Sequence, residues 1–127
     1  MENNGKKILI VDDEQDTVRW LSILFREHGY QTDWAYDGRQ GFEKAEAAPP
    51  DLITLDISMP GESGIKMYGK LLKSETTASI PVIMVTVASP KLEEFLGRLK
   101  TKKAPAGFFE KPIDKDELIN KVKELIG

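Results

Sequence analysis

The chain has 127 residues, 18 Lys and Arg against 21 Asp and Glu, a formal charge of −3, no cysteine and one histidine. Such a length suits a single domain over 1–127 with a core that needs no staples. The charge favours no direct nucleic-acid contact, the missing thiols exclude disulfides and Cys-based zinc sites, and a lone His28 excludes a multi-His metal site and argues against a Ser-His-Asp triad.

Five short apolar runs alternate with five helix-length amphipathic segments. The first strand is predicted over Lys7–Val11 and ends in Asp12-Asp13. A helix follows from Glu14 to His28, with Val18, Leu21, Leu24 and Phe25 as its buried stripe and Gly29 as its stop. The second strand, Gln31–Tyr36, alternates in polarity and reads as an edge. The second helix spans Gly38–Ala47 with Asp37 as N-cap, and Ala48-Pro49-Pro50 ends it. The third strand, Leu52–Asp56, is continuously apolar up to its final acid.

The third helix is predicted over Ser63–Ser74, burying Ile65, Tyr68, Leu71 and Leu72. The fourth strand is Val82–Thr86. The fourth helix runs from Pro90 to Lys102, capped by Ser89, with Leu92, Phe95, Leu96 and Leu99 on one face. Gly107–Lys111 forms the last strand. The last helix is Lys115–Ile126, with Asp114 as N-cap, Glu117 three residues on, and Leu118, Val122 and Leu125 facing inward. Trp20 and Trp34 are expected to be partly buried, and His28 to be a solvated helix-end residue. Strict β-α alternation implies right-handed crossovers and a doubly wound α/β sandwich with a parallel sheet.

Ligands of such sheets sit beyond the carboxyl ends of the strands. Four of the five predicted strands place polar groups there: Asp12-Asp13, Asp56, Thr86 and Lys111. A carboxylate after a buried strand costs solvation unless compensated. At ~4 Å and an effective dielectric of ~20, each pair of like charges costs roughly 4 kcal/mol. A hard divalent cation with oxygen ligands offsets that repulsion. A hydroxyl and a lysine can hold an anionic oxygen, and an aspartate can attack phosphorus.

The fragments Val11-Asp12-Asp13-Glu14, Asp56-Ile57-Ser58-Met59-Pro60-Gly61 with Gly64, Thr86, and Phe108-Phe109-Glu110-Lys111-Pro112 stand in order at successive strand ends. With them the chain resembles the receiver domain of two-component response regulators over essentially its whole length. The resemblance implies a flavodoxin-like sheet of order 2-1-3-4-5 with five helices. It implies Asp56 as phosphoacceptor, Mg²⁺ held directly by Asp13, Asp56 and the backbone carbonyl of Ser58, and Asp12 acting mainly through a bound water. Lys111 would pair with Asp56 and then with phosphoryl oxygens, Thr86 would swing inward onto the phosphoryl group, and the Lys111-Pro112 bond would be cis. Phe108 is either core or the family's switch aromatic.

The implied donor is a phosphohistidine on a histidine kinase or histidine phosphotransfer protein, and the implied reader is a downstream effector protein or domain. A homodimer is among the implied partners. No apolar run approaches the ~20 residues of a membrane span, and the start of the chain lacks a signal peptide's apolar stretch, so the expectation is a cytoplasmic protein with no membrane contact. No DNA-binding segment is expected after Gly127. The chain reads as a stand-alone regulator, a phosphorelay intermediate or one domain of a longer protein.

Three other readings fare worse. A phosphorylation-independent pseudo-receiver, a protein-binding module, predicts loss of an acid, the threonine or the lysine, and all are present. A Mg²⁺-dependent phosphohydrolase needs a cap for which no residues remain. A flavin site would want glycines, Ser/Thr and backbone amides where Asp12-Asp13 stand. The domain is expected to phosphorylate itself only and not to be an enzyme in the ordinary sense. Two departures from the family stand out. Val87 follows Thr86 where a smaller residue is usual, which narrows access to the site. The segment between Thr86 and Lys111 is about three residues longer than is usual for the family, which bears on the dimer face.

Overall fold

The apolar runs of β1 (Lys7–Val11), β3 (Leu52–Leu55) and β4 (Val82–Thr86) become the middle of one parallel sheet, because each is buried on both faces. The alternating run β2 (Gln31–Ala35) lies at one edge and β5 (Gly107–Glu110) at the other, giving the order β2-β1-β3-β4-β5. All four pairings are parallel. This computed structural model describes residues 5–59, 64–87, 90, 94, 97 and 103–127.

Four helices have defined bounds among the described residues: α1 (Gln15–Glu27), α2 (Gly38–Ala47), α3 (Gly64–Lys73) and α4 (Lys115–Ile126). Pro90, Glu94 and Gly97 are helical and exposed, and the rest of the predicted 90–102 helix, with Ser89, Leu92, Phe95, Leu96 and Leu99, lies outside the described residues.

The period-two alternation of the strands builds two cores. Ile8, Ile10, Leu52, Ile83 and Val85 pack against Val18, Leu21, Leu24 and Phe25 of α1 and Leu118, Ile119, Val122 and Ile126 of α4. Leu9, Val11, Ile53, Leu55 and Met84 face the other way, against Ala45 of α2 and Met67, Tyr68 and Leu71 of α3. A large apolar side chain taken fully out of water contributes roughly 1.5–3 kcal/mol, so both helical layers are held by burial more than by helix propensity.

Local signals set the helix ends. Asp37 Oδ1 accepts from the Gln40 amide at 2.7 Å, and Asp114 accepts from the amides of Asp116 and Glu117. Gly29 ends the first helical turn sequence with φ 90°, a conformation that a Cβ disfavours.

Several expectations shift by a position. The inward face of α4 is Leu118, Ile119, Val122 and Ile126, while Leu125 is half-buried. In α3, Met67 is fully buried and Ile65 and Leu72 are half-buried. His28 is the C-cap of α1 and half-buried rather than solvated. Trp20 and Trp34, expected to be partly buried, are exposed. Trp34 stands on the edge strand, and the Lys44 ammonium lies 5.8 Å from its ring centre.

Candidate functional site

The chain runs from β2 on one flank of β1 to β3 on the other, so the crevice at the carboxyl ends of β1 and β3 is the topological switch point. Asp12 and Asp56 are the residues immediately after those two strands. Backbone bonds seat both: Asp12 N–H donates to Ala35 O at 3.1 Å and Asp56 N–H to Val11 O at 3.0 Å. Each acid is therefore a continuation of sheet pairing, and its side chain cannot retreat to solvent. Asp12 is 2% exposed, Asp56 3% and Thr86 0%, whereas Asp13 is exposed.

The loop after β3 closes tightly on this crevice. A Cβ at Gly64 would lie 2.2 Å from the Asp56 carbonyl oxygen and 2.7 Å from Ile57 Cα, so only glycine lets α3 start there. Pro60 and Gly61 of the same motif, and Ser63, the expected start of the third helix, lie outside the described residues.

Asp56 Oδ1 accepts three bonds: from Ser58 N–H at 2.9 Å, Ser58 Oγ at 2.7 Å and Thr86 Oγ1 at 2.9 Å. Lys111 Nζ donates to Asp56 Oδ2 at 3.2 Å, to Asp12 Oδ2 at 2.8 Å and to Glu14 Oε1 at 2.9 Å. Lys111 reaches the pocket from the end of β5, where its N–H donates to Thr86 O at 2.9 Å. The Lys111-Pro112 bond is cis.

The two buried acids respond differently to the same pocket. Burial works to raise both. At Asp56 the Ser58 side-chain and backbone bonds, the Lys111 charge and the Thr86 hydroxyl outweigh it, and the carboxyl falls below its ordinary value. At Asp12 burial, with the charge of Asp56, outweighs the Lys111 bond, the Glu14 amide and the Lys111 charge, and the carboxyl is pushed up to about 6. Burial works to lower Lys111, but Asp12 and Glu14 outweigh it and the ammonium is held well above its ordinary value. Asp56 is thus an ionised carboxylate at neutral pH, with one charge-assisted bond on Oδ2.

Asp12, Asp13 and Asp56 offer carboxylate oxygens that all lie within 4.8 Å of one another. Three converging oxygens suit a hard divalent cation, and burial leaves the Asp12 carboxylate short of the solvation such a cation would replace. The acids therefore fit a metal of the Mg²⁺ type.

All six expected positions meet at one pocket: Asp12, Asp13, Asp56, Ser58, Thr86 and Lys111. Thr86, expected to swing inward, is already turned inward and bonded to Asp56. Val87, next to it, is half exposed. Phe108 is half-buried against the α2–α3 core. Two contributors went unassigned by sequence reasoning. One is the Ser58 hydroxyl, for which only the backbone carbonyl was expected to matter. The other is Glu14, which reads as an ordinary acid at a helix start.

Known proteins carry the same pattern. The profile of the response regulator receiver domain matches residues 8–123. The chain is 30% identical to protein PilH of Pseudomonas aeruginosa over 121 residues, 95% of this chain and 98% of PilH. It is 31% identical to response regulator ArlR of Staphylococcus saprophyticus over 120 residues, 94% of this chain but 52% of ArlR, so it spans about half the length of that relative. The solved signal receiver domain of a signal transduction histidine kinase from Syntrophus aciditrophicus superposes with a TM-score of 0.85 at 30% identity, covering 96% of this chain and 90% of that one. Among the described residues no helix is long and apolar enough to cross a membrane. A buried acid pair at the switch point, joined by the strand-five lysine and matched along nearly the whole chain, leads to one assignment: the chain belongs to the response regulator receiver domain family, phosphoacceptor signalling domains of two-component systems that are not conventional enzymes.

Proposed function

We propose that Asp56 is the residue that accepts the phosphoryl group, from a phosphohistidine on a histidine kinase or histidine phosphotransfer protein. The observation that carries this reading is the state of Asp56: buried, held ionised by Ser58, Lys111 and Thr86, and set among two further acids. Oδ2 carries a single bond and is the better placed nucleophile. An Oδ2–P bond forms as the P–N bond of the donor imidazole breaks. Lys111, already within reach of Asp56, then donates to a phosphoryl oxygen. Thr86 transfers its hydroxyl bond from the carboxylate to the phosphoryl group, with no swing from outside.

Asp12, Asp13 and Asp56, with the Ser58 carbonyl, would hold Mg²⁺. When bound, that ion neutralises charge on the transferring oxygens. The added group brings roughly −1.5 to −2 charge at neutral pH. Its contacts with Thr86 and Lys111 favour one arrangement of the β4 and β5 ends over another, which a downstream effector protein or domain reads. The place of action is the cytoplasm, and residues 1–127 act as one receiver domain.

Incubation with a small acyl-phosphate donor and Mg²⁺ tests the reading. One added phosphoryl group is expected by intact mass, absent in Asp56→Asn and without added Mg²⁺. Incorporation that survives Asp56→Asn, or none in the native protein, overturns it.

A further inference from the structure

Glu14 is the N-cap of α1, with extended backbone at φ −90° and ψ 113°, yet its side chain makes no capping bond. Its Oε1 accepts from Lys111 Nζ at 2.9 Å instead. An ammonium has three N–H donors. Those of Lys111 meet Asp12 at 2.8 Å, Glu14 at 2.9 Å and Asp56 at 3.2 Å. As Asp56 Oδ2 attacks phosphorus it gives up its N–H to one phosphoryl oxygen, so Lys111 can offer the phosphoryl group a second full bond only if another carboxylate lets go.

The three carboxylates are not equivalent. The side chains of Asp12 and Asp56 are each 3% exposed, while that of Glu14 is 61% exposed. Releasing Asp12 strands a buried charge away from water. Releasing Glu14 hands its oxygens to solvent, and an exposed pair is weakly held in any case.

Resting on the reading of Asp56 as phosphoacceptor, we propose that Glu14 is a positioning residue: it holds the third N–H of Lys111 before phosphorylation and is the partner that the ammonium exchanges for a phosphoryl oxygen. Glu14 fixes the resting place of Nζ, biased toward Asp12 and away from Asp56, and it competes with the incoming group. Its removal speeds phosphorylation. The backbone of Glu14 stays in use whatever its side chain, since its N–H donates to Asp12 Oδ1 at 3.0 Å and its carbonyl accepts from Val18 N–H.

The test compares native protein, Glu14→Gln, Lys111→Gln, the double variant and Asp16→Asn. Asp16 is an exposed acid in the first turn of α1 and controls for loss of one negative charge. Phosphoryl incorporation from a small acyl-phosphate donor is followed at saturating Mg²⁺, separating the maximal rate from half-saturation by donor. Glu14→Gln is expected to raise the maximal rate about two- to fivefold, the range an exposed ion pair can carry, with half-saturation unchanged. The gain should vanish in the Lys111→Gln background and be absent in Asp16→Asn. In the unphosphorylated protein the ¹⁵N resonance of the Lys111 ammonium should move in Glu14→Gln and not in Asp16→Asn, a readout that needs no turnover. An unchanged or slower maximal rate, a gain that persists without Lys111, an equal gain in Asp16→Asn, or an unmoved Lys111 resonance overturns the proposal while leaving Asp56 as acceptor. Absence of phosphoryl on native protein, or its retention in Asp56→Asn, overturns the acceptor reading and this proposal with it.

Discussion

Along the middle of β1 and β3, Ile8, Ile10 and Leu52 turn to one helical layer and Leu9, Val11 and Ile53 to the other. One to three residues further on, at the carboxyl rim, the same strands deliver Asp12 and Asp56, equally buried but charged. The middle gains free energy from every side chain it covers; the rim gives some back. Displacement of the Asp12 carboxyl from 3.8 to about 6 corresponds to roughly 3 kcal/mol against its ionised form. Asp56 escapes that penalty because three donors converge on one of its oxygens. Two acids of near-identical burial thus differ through their hydrogen bonds and the charges beside them. The rim keeps one acid ready to react and another in need of a cation.

Opposite responses to mutation separate the two regions. The largest effect belongs to the middle. Phe25, fully buried between α1 and the sheet, should lose about 3–5 kcal/mol as Phe25→Ala. Urea unfolding measures that loss, while phosphoryl incorporation per folded molecule stays native. At the rim the sign inverts: Asp12→Asn should stabilise the protein by about 1–3 kcal/mol in metal-free buffer at pH 7 and weaken Mg²⁺ binding. A destabilised Asp12→Asn protein would erase the contrast.

The pH dependence sharpens it. The folded value of Asp12 lies above its unfolded one, so between about pH 4 and pH 6 the folded state holds the extra proton. The contribution of this group to stability falls as pH rises through that window and is flat above it. Asp56 has the opposite sign, since its folded value is depressed: its contribution is present above the ordinary carboxylate range and is lost as pH falls through the folded value. Urea midpoints at pH 5 and pH 7 should show native protein losing about 1 kcal/mol relative to Asp12→Asn. The smallest effect tests an acid near the rim with no site role. Asp37 caps α2, so Asp37→Ala should cost about 1 kcal/mol and Asp37→Asn far less, with phosphorylation untouched in both.

The sequence exposed the rim because a charged residue directly after an unbroken apolar run has few structural excuses. Asp12, Asp56 and Lys111 stand out on that ground, and Thr86 joins them by register. Capping signals were equally plain at Asp37 and Asp114. Glu14 stayed hidden because an acid at a helix start already has an ordinary meaning, and its tie to Lys111 spans 97 positions. The Ser58 hydroxyl stayed hidden because its bond depends on how the loop folds back onto Asp56. The inward faces of α3 and α4 drifted because Met67, Ile119 and Ile126 are selected by where the sheet surface lies, which helical period alone does not specify. The exposed indoles of Trp20 and Trp34 likewise depend on which faces the neighbouring layers leave open.

The most direct test of the account asks where the phosphoryl group goes. Protein phosphorylated in the presence of Mg²⁺ is reduced with borohydride, which turns an aspartyl phosphate into homoserine, and then mapped by peptide mass spectrometry. Homoserine at position 56 and at no other acid is the predicted result. Homoserine at position 12 or 13, or a phosphoryl group that resists borohydride, would contradict the assignment of roles at the rim.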